Sequence, residues 1–192
     1  MKKLLVFMTA LTLLLGLTAC QGESNAPPTS DAAHLTSATN TSDSIDLTEI
    51  TGNGLVLALP TNFQYAQTNE TTGEISFADE NGTAVVTLGV KTEDSITSTD
   101  ITDEVILAAL GGESNATLDS SETMEHEDGT SVVGFGKVTL EDGMVMNGVL
   151  QFFFPTEGGS YYAICYLYDV DAESSLENMI EQVLPTVKVE KE

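Results

Sequence analysis

From residue 51 onward, apolar positions fall into short runs separated by regular polar punctuation. Leu55-Val56-Leu57-Ala58-Leu59, stopped by Pro60, predicts a first strand, and residues 74–78 predict a second. Asp79-Glu80-Asn81-Gly82 follows. Asn-Gly accepts the positive φ values of a tight hairpin, so residues 83–90 are expected to return beside the second strand. The period then changes. Over residues 100–112 the apolar positions Ile101, Val105, Ile106, Ala108 and Leu110 make one helical face. Asp100 is the expected N-cap, acids fill the first turn, and Gly111 or Gly112 is expected to close the helix in the left-handed conformation.

Four further strands are expected at 116–127, 130–140, 144–154 and 160–168, with Asp128-Gly129, Asp142-Gly143 and Gly158-Gly159 between them. Asp-Gly between alternating runs argues for consecutive antiparallel pairing. In the third of these strands Met144, Met146, Leu150, Phe152 and Phe154 share a face, and Val145, Val149 and Phe153 share the other with Asn147 and Gln151. Both faces of the sheet are therefore expected to be covered. Asp171 is expected to cap a second helix in which Ala172, Leu176, Met179, Ile180, Val183 and Leu184 recur until Pro185, and residues 186–190 to add a short last strand. Gly134, Gly136 and Gly148 suit close approach of a helix to the sheet. The order predicts an α+β domain over residues 50–192: a central antiparallel β-sheet with helices packed on its faces. A domain of that length buries about two-thirds of its unfolded surface and needs neither metal nor disulfide to fold.

Upstream the pattern is different. Residues 21–49 are rich in Ser, Thr, Asn, Ala, Asp and Pro, with apolar residues isolated at Leu35, Ile45 and Leu47. Such a segment cannot offset its ordering entropy by burial, so 20–49 reads as a flexible tether with a reach of roughly 30 Å. Residues 1–19 carry Lys2 and Lys3 and then an apolar run from Leu4 to Leu17, too short for a bilayer span and fitting a secretory signal. The run ends in Leu17-Thr18-Ala19-Cys20, which resembles the bacterial lipobox. That resemblance implies cleavage before Cys20, a diacylglycerol on its sulfur, and residence on the extracytoplasmic side of the cell membrane, where two acyl chains suffice for stable anchoring.

Within the domain, Gly54-Leu55-Val56-Leu57-Ala58-Leu59-Pro60-Thr61-Asn62-Phe63 resembles the opening of the Mog1/PsbP-like superfamily: glycine, apolar strand, proline, polar pair, aromatic. The hairpin, mid-chain helix, four-strand meander and terminal helix match in order over about residues 50–190. The resemblance implies an α/β/α sandwich and a non-enzymatic protein-binding or assembly role. It transfers no site residue, no cofactor and no metal ligand.

Charge narrows the partners. Six lysines and no arginine stand against 30 acids, a formal charge of −24, and loss of the leader lysines leaves four against thirty, or −26. That surface repels phosphate backbones and anionic head groups, which excludes nucleic acid and favours a protein partner at the envelope with basic patches or bound divalent cations.

Candidate chemistry is sparse. The tips Asp79/Glu80, Glu127/Asp128 and Glu141/Asp142 could offer oxygens to Ca²⁺ but lack the alternating loop of an EF-hand and read as solvated turns. Met124, His126, Met144 and Met146 are chemically suited to copper, yet Met144 and Met146 share a core face. A weak divalent-metal binder is thus the alternative function. An envelope hydrolase, the lesser alternative, would need a pocket joining His126 to carboxylates, since His34 lies in the tether. Cys165, in YYAICYLYDV, reads as a buried small hydrophobe rather than a nucleophile. Tyr162, Tyr166 and Tyr168 share a face with Ile164; core packing is one reading, and a partner face is the other.

Overall fold

The computed structural model describes residues 45–93, 96–157, 160–170 and 173–191. Cys20, His34 and Asp171 lie outside the described residues.

The chain opens with β1 (Leu47–Gly52) and β2 (Leu55–Pro60), paired antiparallel with Gly52 opposite Leu55. Two residues, Asn53 at φ 54° and Gly54 at φ 83°, join them. Positive φ at both central positions is the turn whose twist matches that of the flanking strands. The Asn53 side chain also donates from Nδ2 to the carbonyls of Gly73 and Leu88, both at 3.1 Å, which pins the turn to the larger sheet. The ordered domain thus begins ahead of residue 50. Leu47 to Glu49, expected in the tether, are β1, because Leu47 and Ile50 pack against the core.

The second sheet has eight strands. β3 (Phe63–Thr68), β4 (Ile75–Asp79) and β5 (Ala84–Leu88) form one antiparallel edge, and the two-residue β6 (Thr92–Glu93) pairs with the start of β10. The meander β7 (Ala116–His126), β8 (Gly129–Thr139), β9 (Val145–Pro155) and β10 (Ser160–Asp169) forms the rest, in the order β3-β4-β5-β10-β9-β8-β7. The expected meander is present within two residues at every described boundary. β3 was not expected: five of its six residues are exposed, so it carries no apolar alternation.

Helix α1 is Asp103–Leu110, with Thr102 at the N-cap, Asp103 and Glu104 in the first turn, and Gly111 (φ 138°) and Gly112 (φ 75°) at its end. Asp100 lies ahead of it and caps no helix. Its carboxylate closes a short 3-10 turn by accepting from Thr97 N at 2.8 Å and Thr97 Oγ1 at 2.7 Å. Helix α2 is Glu173–Val183, continued by a 3-10 turn through Pro185, and β11 (Lys188–Val189) pairs with β2 to complete a three-stranded sheet.

These elements make two cores on the two faces of the large sheet. Ile106 and Leu110 of α1 pack on Val132, Val138, Met146, Leu150, Phe152 and Leu167. The opposite face is covered by α2 and the small sheet: Met179, Ile180 and Val183 meet Val133, Val149, Phe153, Ile164 and Tyr166, with Leu55, Leu57 and Leu59 beside them. β9 divides as its alternation requires, even-numbered residues toward α1 and odd-numbered toward α2; Met144, 49% exposed in the turn before the strand, and Val145, 40% exposed at its start, are covered by neither layer. Gly134 lies directly under α1, where a Cβ would sit 2.3 Å from Ile106 Cγ2. Gly136 answers to a strand instead: its Cβ would sit 2.0 Å from the Thr117 carbonyl oxygen.

At the centre of the α2 face Gln151 is fully buried. Its Nε2 donates to Ser131 Oγ (2.9 Å) and to the Leu184 carbonyl (3.1 Å), and its Oε1 accepts from Tyr166 Oη (2.7 Å). One amide therefore ties β8, β9 and β10 to the end of α2. Gln151→Leu keeps the shape but strips partners from three buried polar groups, so urea unfolding is expected to show a loss of about 2–4 kcal/mol.

Candidate functional site

The α2 face is closed at one end and open at the other. At the open end the pairings Lys137–Asn147 and Asn147–Tyr168 set three side chains in a row across β8, β9 and β10. Phe135 and Val149, one step along the same face, form the floor behind them. A cavity of about 360 Å³ lies over this row. Ile180 and Glu181 of α2 make one wall and Asp119 of β7 another.

Asp119 reaches this position through a β-bulge. Leu118 pairs with Gly136 and Ser120 with Phe135, so Asp119 is the extra residue between them. A bulge re-aims a side chain and reverses the alternation after it. Ala116 and Leu118 accordingly feed the α1 core, whereas Met124, beyond the bulge, joins the α2 core. The bulge brings the β7 backbone against Gly136, which is why no side chain fits there.

The polar groups of the cavity are unevenly satisfied. Asn147 is only 6% exposed, and its side-chain amide has no hydrogen-bond partner among the described residues. Lys188 and Lys191 pair with Glu49 (2.6 Å) and Asp128 (3.8 Å), but Lys137 makes no ion pair with any described residue. The site thus combines an ammonium, two carboxylates and a half-enclosed amide on a rigid sheet. It can hold a polar ligand by hydrogen bonds and charge.

Other expected candidates lie elsewhere. Tyr162, Tyr166 and Tyr168 do share a face, but it is interior: they are 3%, 1% and 6% exposed, which corrects the partner-face reading. The small sheet and α2 cover them. Tyr162 Oη lies under the β1–β2 turn, 3.2 Å from where a Cβ on Gly54 would be, and Tyr166 is held by Gln151. Tyr168 alone reaches the cavity edge. Tyr161 faces the other way and stacks on Phe154 at 5.5 Å.

Asp79 is buried and organises its own turn, its carboxylate accepting from Asn81 N, Thr83 Oγ1 and Ala84 N. Among the described residues no group of three His, Cys, Asp or Glu stands close enough to hold a metal ion. The four candidate copper ligands do not converge: Met124 belongs to the α2 face, Met146 to the α1 face, and Met144 to an exposed turn.

His126 packs edge-on against Phe153 (5.5 Å) with its Nε2 buried and unpartnered, and it does not line the cavity over Asn147. Burial lowers its pKa, against the opposing pull of the Pro185 backbone and Glu125. The Cys165 thiol is pushed up to about 12 by burial, and further by the charge of Glu74.

No family model matches the sequence, and no curated protein matches it either. The likeness is in three dimensions. The solution structure of cyanobacterial PsbP (CyanoP) from Synechocystis superposes with a TM-score of 0.56 at 14% identity, over 81% of this chain and 99% of that one. The Saccharomyces cerevisiae Ran-binding protein Mog1p superposes with 0.53 at 11% identity, over 76% and 96%. The fold is that of PsbP and Mog1. The expected antiparallel sheet with helices on its faces is thereby established, and the open edges at β3 and β7 show that the sheet does not close into a barrel.

Two outcomes follow from the titrating groups. The folded chain keeps His126 neutral where the unfolded chain, with its ordinary value of 6.5, takes up a proton. Its contribution to stability is therefore present above pH 6.5 and lost as pH falls through the lowered folded value. In urea unfolding, wild type is expected to lose stability relative to His126→Gln between pH 7.5 and 5; a constant difference would contradict this. With Cys20 replaced by serine, a disulfide reagent at pH 8 is expected to modify Cys165, half-buried and with its thiol held well above the usual range, at least tenfold faster after unfolding.

Proposed function

We propose that this protein is a lipoprotein, anchored by diacylglycerol on Cys20 to the extracytoplasmic side of a bacterial cell membrane, and that its domain is a non-enzymatic binding or assembly module for a protein partner in the envelope. The leader supports the anchoring, because positive start, apolar length, small residues and cysteine agree. Sharing a fold with Mog1p, described as Ran-binding, supports a binding role. The observation that carries the binding reading is Asn147. The residue is only 6% exposed, and its amide, unpaired among the described residues, opens on the cavity, where a bound molecule can complete its hydrogen bonds.

Anchoring supplies the mechanism. A domain confined within a tether length of the membrane meets its partner at a high local concentration, so a modest intrinsic affinity suffices. The strongly negative surface keeps the domain off anionic lipids and draws partners that present basic patches.

Mass spectrometry of the native product tests the first half: a diacylated N-terminal Cys20 is expected, and an intact start methionine or a bare thiol there rejects the anchoring. The second half is tested by a photoreactive residue at position 181, beside the cavity, in intact cells. A discrete adduct with one envelope protein is expected, absent when the probe is moved to the exposed position 65 on β3; the same adducts from both positions reject the cavity as the binding place.

A further inference from the structure

The large sheet ends in two free edges, and the chain treats them differently. On one of them β7 carries Asp119, Glu122 and Glu125, with Glu127 and Asp128 directly after it. Charge along an edge strand repels further strands, so that edge is blunted. β3 has no such protection. Residues 50–69 contain no acid and no lysine, in a chain with thirty acids and six lysines. Gln64 to Thr68 are all exposed, and no described strand lies beyond them.

The register of β3 on β4 decides which of its backbone groups are unused. Glu80 N donates to the Asn62 carbonyl at 3.2 Å, which makes Asn62 and Glu80 a hydrogen-bonded pair. Alternation makes Gln64 and Ala78 the next such pair. The N–H and C=O groups of Phe63 and Tyr65 therefore point outward, away from β4. A bulge follows Tyr65 and bends the rest of the strand, which leaves Phe63 to Tyr65 as the usable ladder.

This short ladder is complementary to itself. Turned about a two-fold axis at Gln64, a second β3 sets its Tyr65 opposite Phe63 and its Phe63 opposite Tyr65, and each pair exchanges two backbone hydrogen bonds. Gln64 meets Gln64 at the axis. Like stands opposite like there, which an uncharged strand tolerates and a charged one does not. Elsewhere the strongly negative surface holds two copies apart. We infer that β3 is a self-association edge, through which two copies of this chain pair antiparallel over Phe63–Tyr65 and join their large sheets. The inference is independent of the cavity and of the envelope partner.

So short a ladder makes a weak contact, which a disulfide trap can read. The full chain with Gln64→Cys, oxidised in the cells that make it, is expected to give a covalent homodimer. Residues facing one another in a non-hydrogen-bonded pair have Cα atoms about 4.5 Å apart, within disulfide range. Gln67→Cys, beyond the bulge, and Met144→Cys, in the exposed turn before β9, are expected to give at least tenfold less, each counted above the wild-type background. Adding Tyr65→Glu to Gln64→Cys sets like charges beside the axis and is expected to lower the dimer at least tenfold, whereas Thr123→Glu on β7 leaves it unchanged. All of these side chains are exposed, so thermal midpoints should match wild type and a lost dimer is not a lost fold. A photoreactive residue at position 65 is likewise expected to join two copies of the chain. No dimer from Gln64→Cys, as much dimer from position 67 or 144, a dimer indifferent to Tyr65→Glu or lost equally with Thr123→Glu, or adducts from position 65 to other proteins alone would each overturn the inference.

Discussion

The hydrogen bonds of Gln151 are where the layers of this molecule are joined. Its amide reaches Ser131 on β8, Tyr166 on β10 and the carbonyl of Leu184 at the end of α2, and all of these groups are remote from water. An apolar interface between helix and sheet tolerates sliding, because dispersion and burial have little direction. Three directed bonds in a low-dielectric interior do not. The register of α2 on the sheet is set there, and with it the place of Ile180 and Glu181 beside the open row of β8, β9 and β10. The cavity has fixed walls because a buried amide several residues away is satisfied.

A sheet covered on both faces imposes a second constraint: every residue of its central strands must suit the face that alternation gives it. β9 and β10 obey without interruption, which is why both read as nearly continuous apolar runs. β7, at the edge, cannot. Its first residues must fill the α1 core and its last must reach the α2 core, and the extra residue Asp119 makes the exchange. The bulge that solves this packing problem also delivers a carboxylate to the cavity. Gly136 is its counterpart on β8, and an isolated glycine within a strand pattern is the one signal in the sequence that marks such a place.

How much was legible depends on what each element buries. The meander from Ala116 to Asp169 was readable because its strands are long, apolar and divided by Asp-Gly or Gly-Gly, so local turn chemistry and burial agree. β1 was not, because only Leu47 and Ile50 turn inward and both are partly exposed; its partner β2, with three fully buried leucines, was. The Asn-Gly at 53–54 carries the same signal as that at 81–82, but no apolar alternation precedes it to mark a strand. Asp100 looked like a helix cap and is a turn closer, since Thr97 offers it two donors. The tyrosines of β10 show the limit of alternation: it places Tyr162, Tyr166 and Tyr168 on one face, and it cannot tell whether another layer lies above. The cavity residues were hidden for a related reason. Lys137, Asn147 and Tyr168 are 31 residues apart at their extremes and meet only through the register of two hairpins.

What distinguishes the two ends of the α2 face is the reach of the small sheet. Toward Phe153 and Tyr162 the β1–β2 turn closes the surface, locked there by Asn53 to the carbonyls of Leu88 on β5 and of Gly73 in the connection before β4. Gln151 sits midway. Beyond Val149 no residue of β1, β2 or β11 lines the cavity, and the side chains change from aromatic and aliphatic to lysine and asparagine at that boundary. A sequence shaped by packing alone would cap this end with exposed charge and shorten the strands. Here the strands run on, and the residue at the centre of the row is an asparagine, 6% exposed, whose amide is unpaired among the described residues and opens on the cavity. One end of the α2 face is thus sealed by the small sheet, and the other is left open over a partly enclosed polar row.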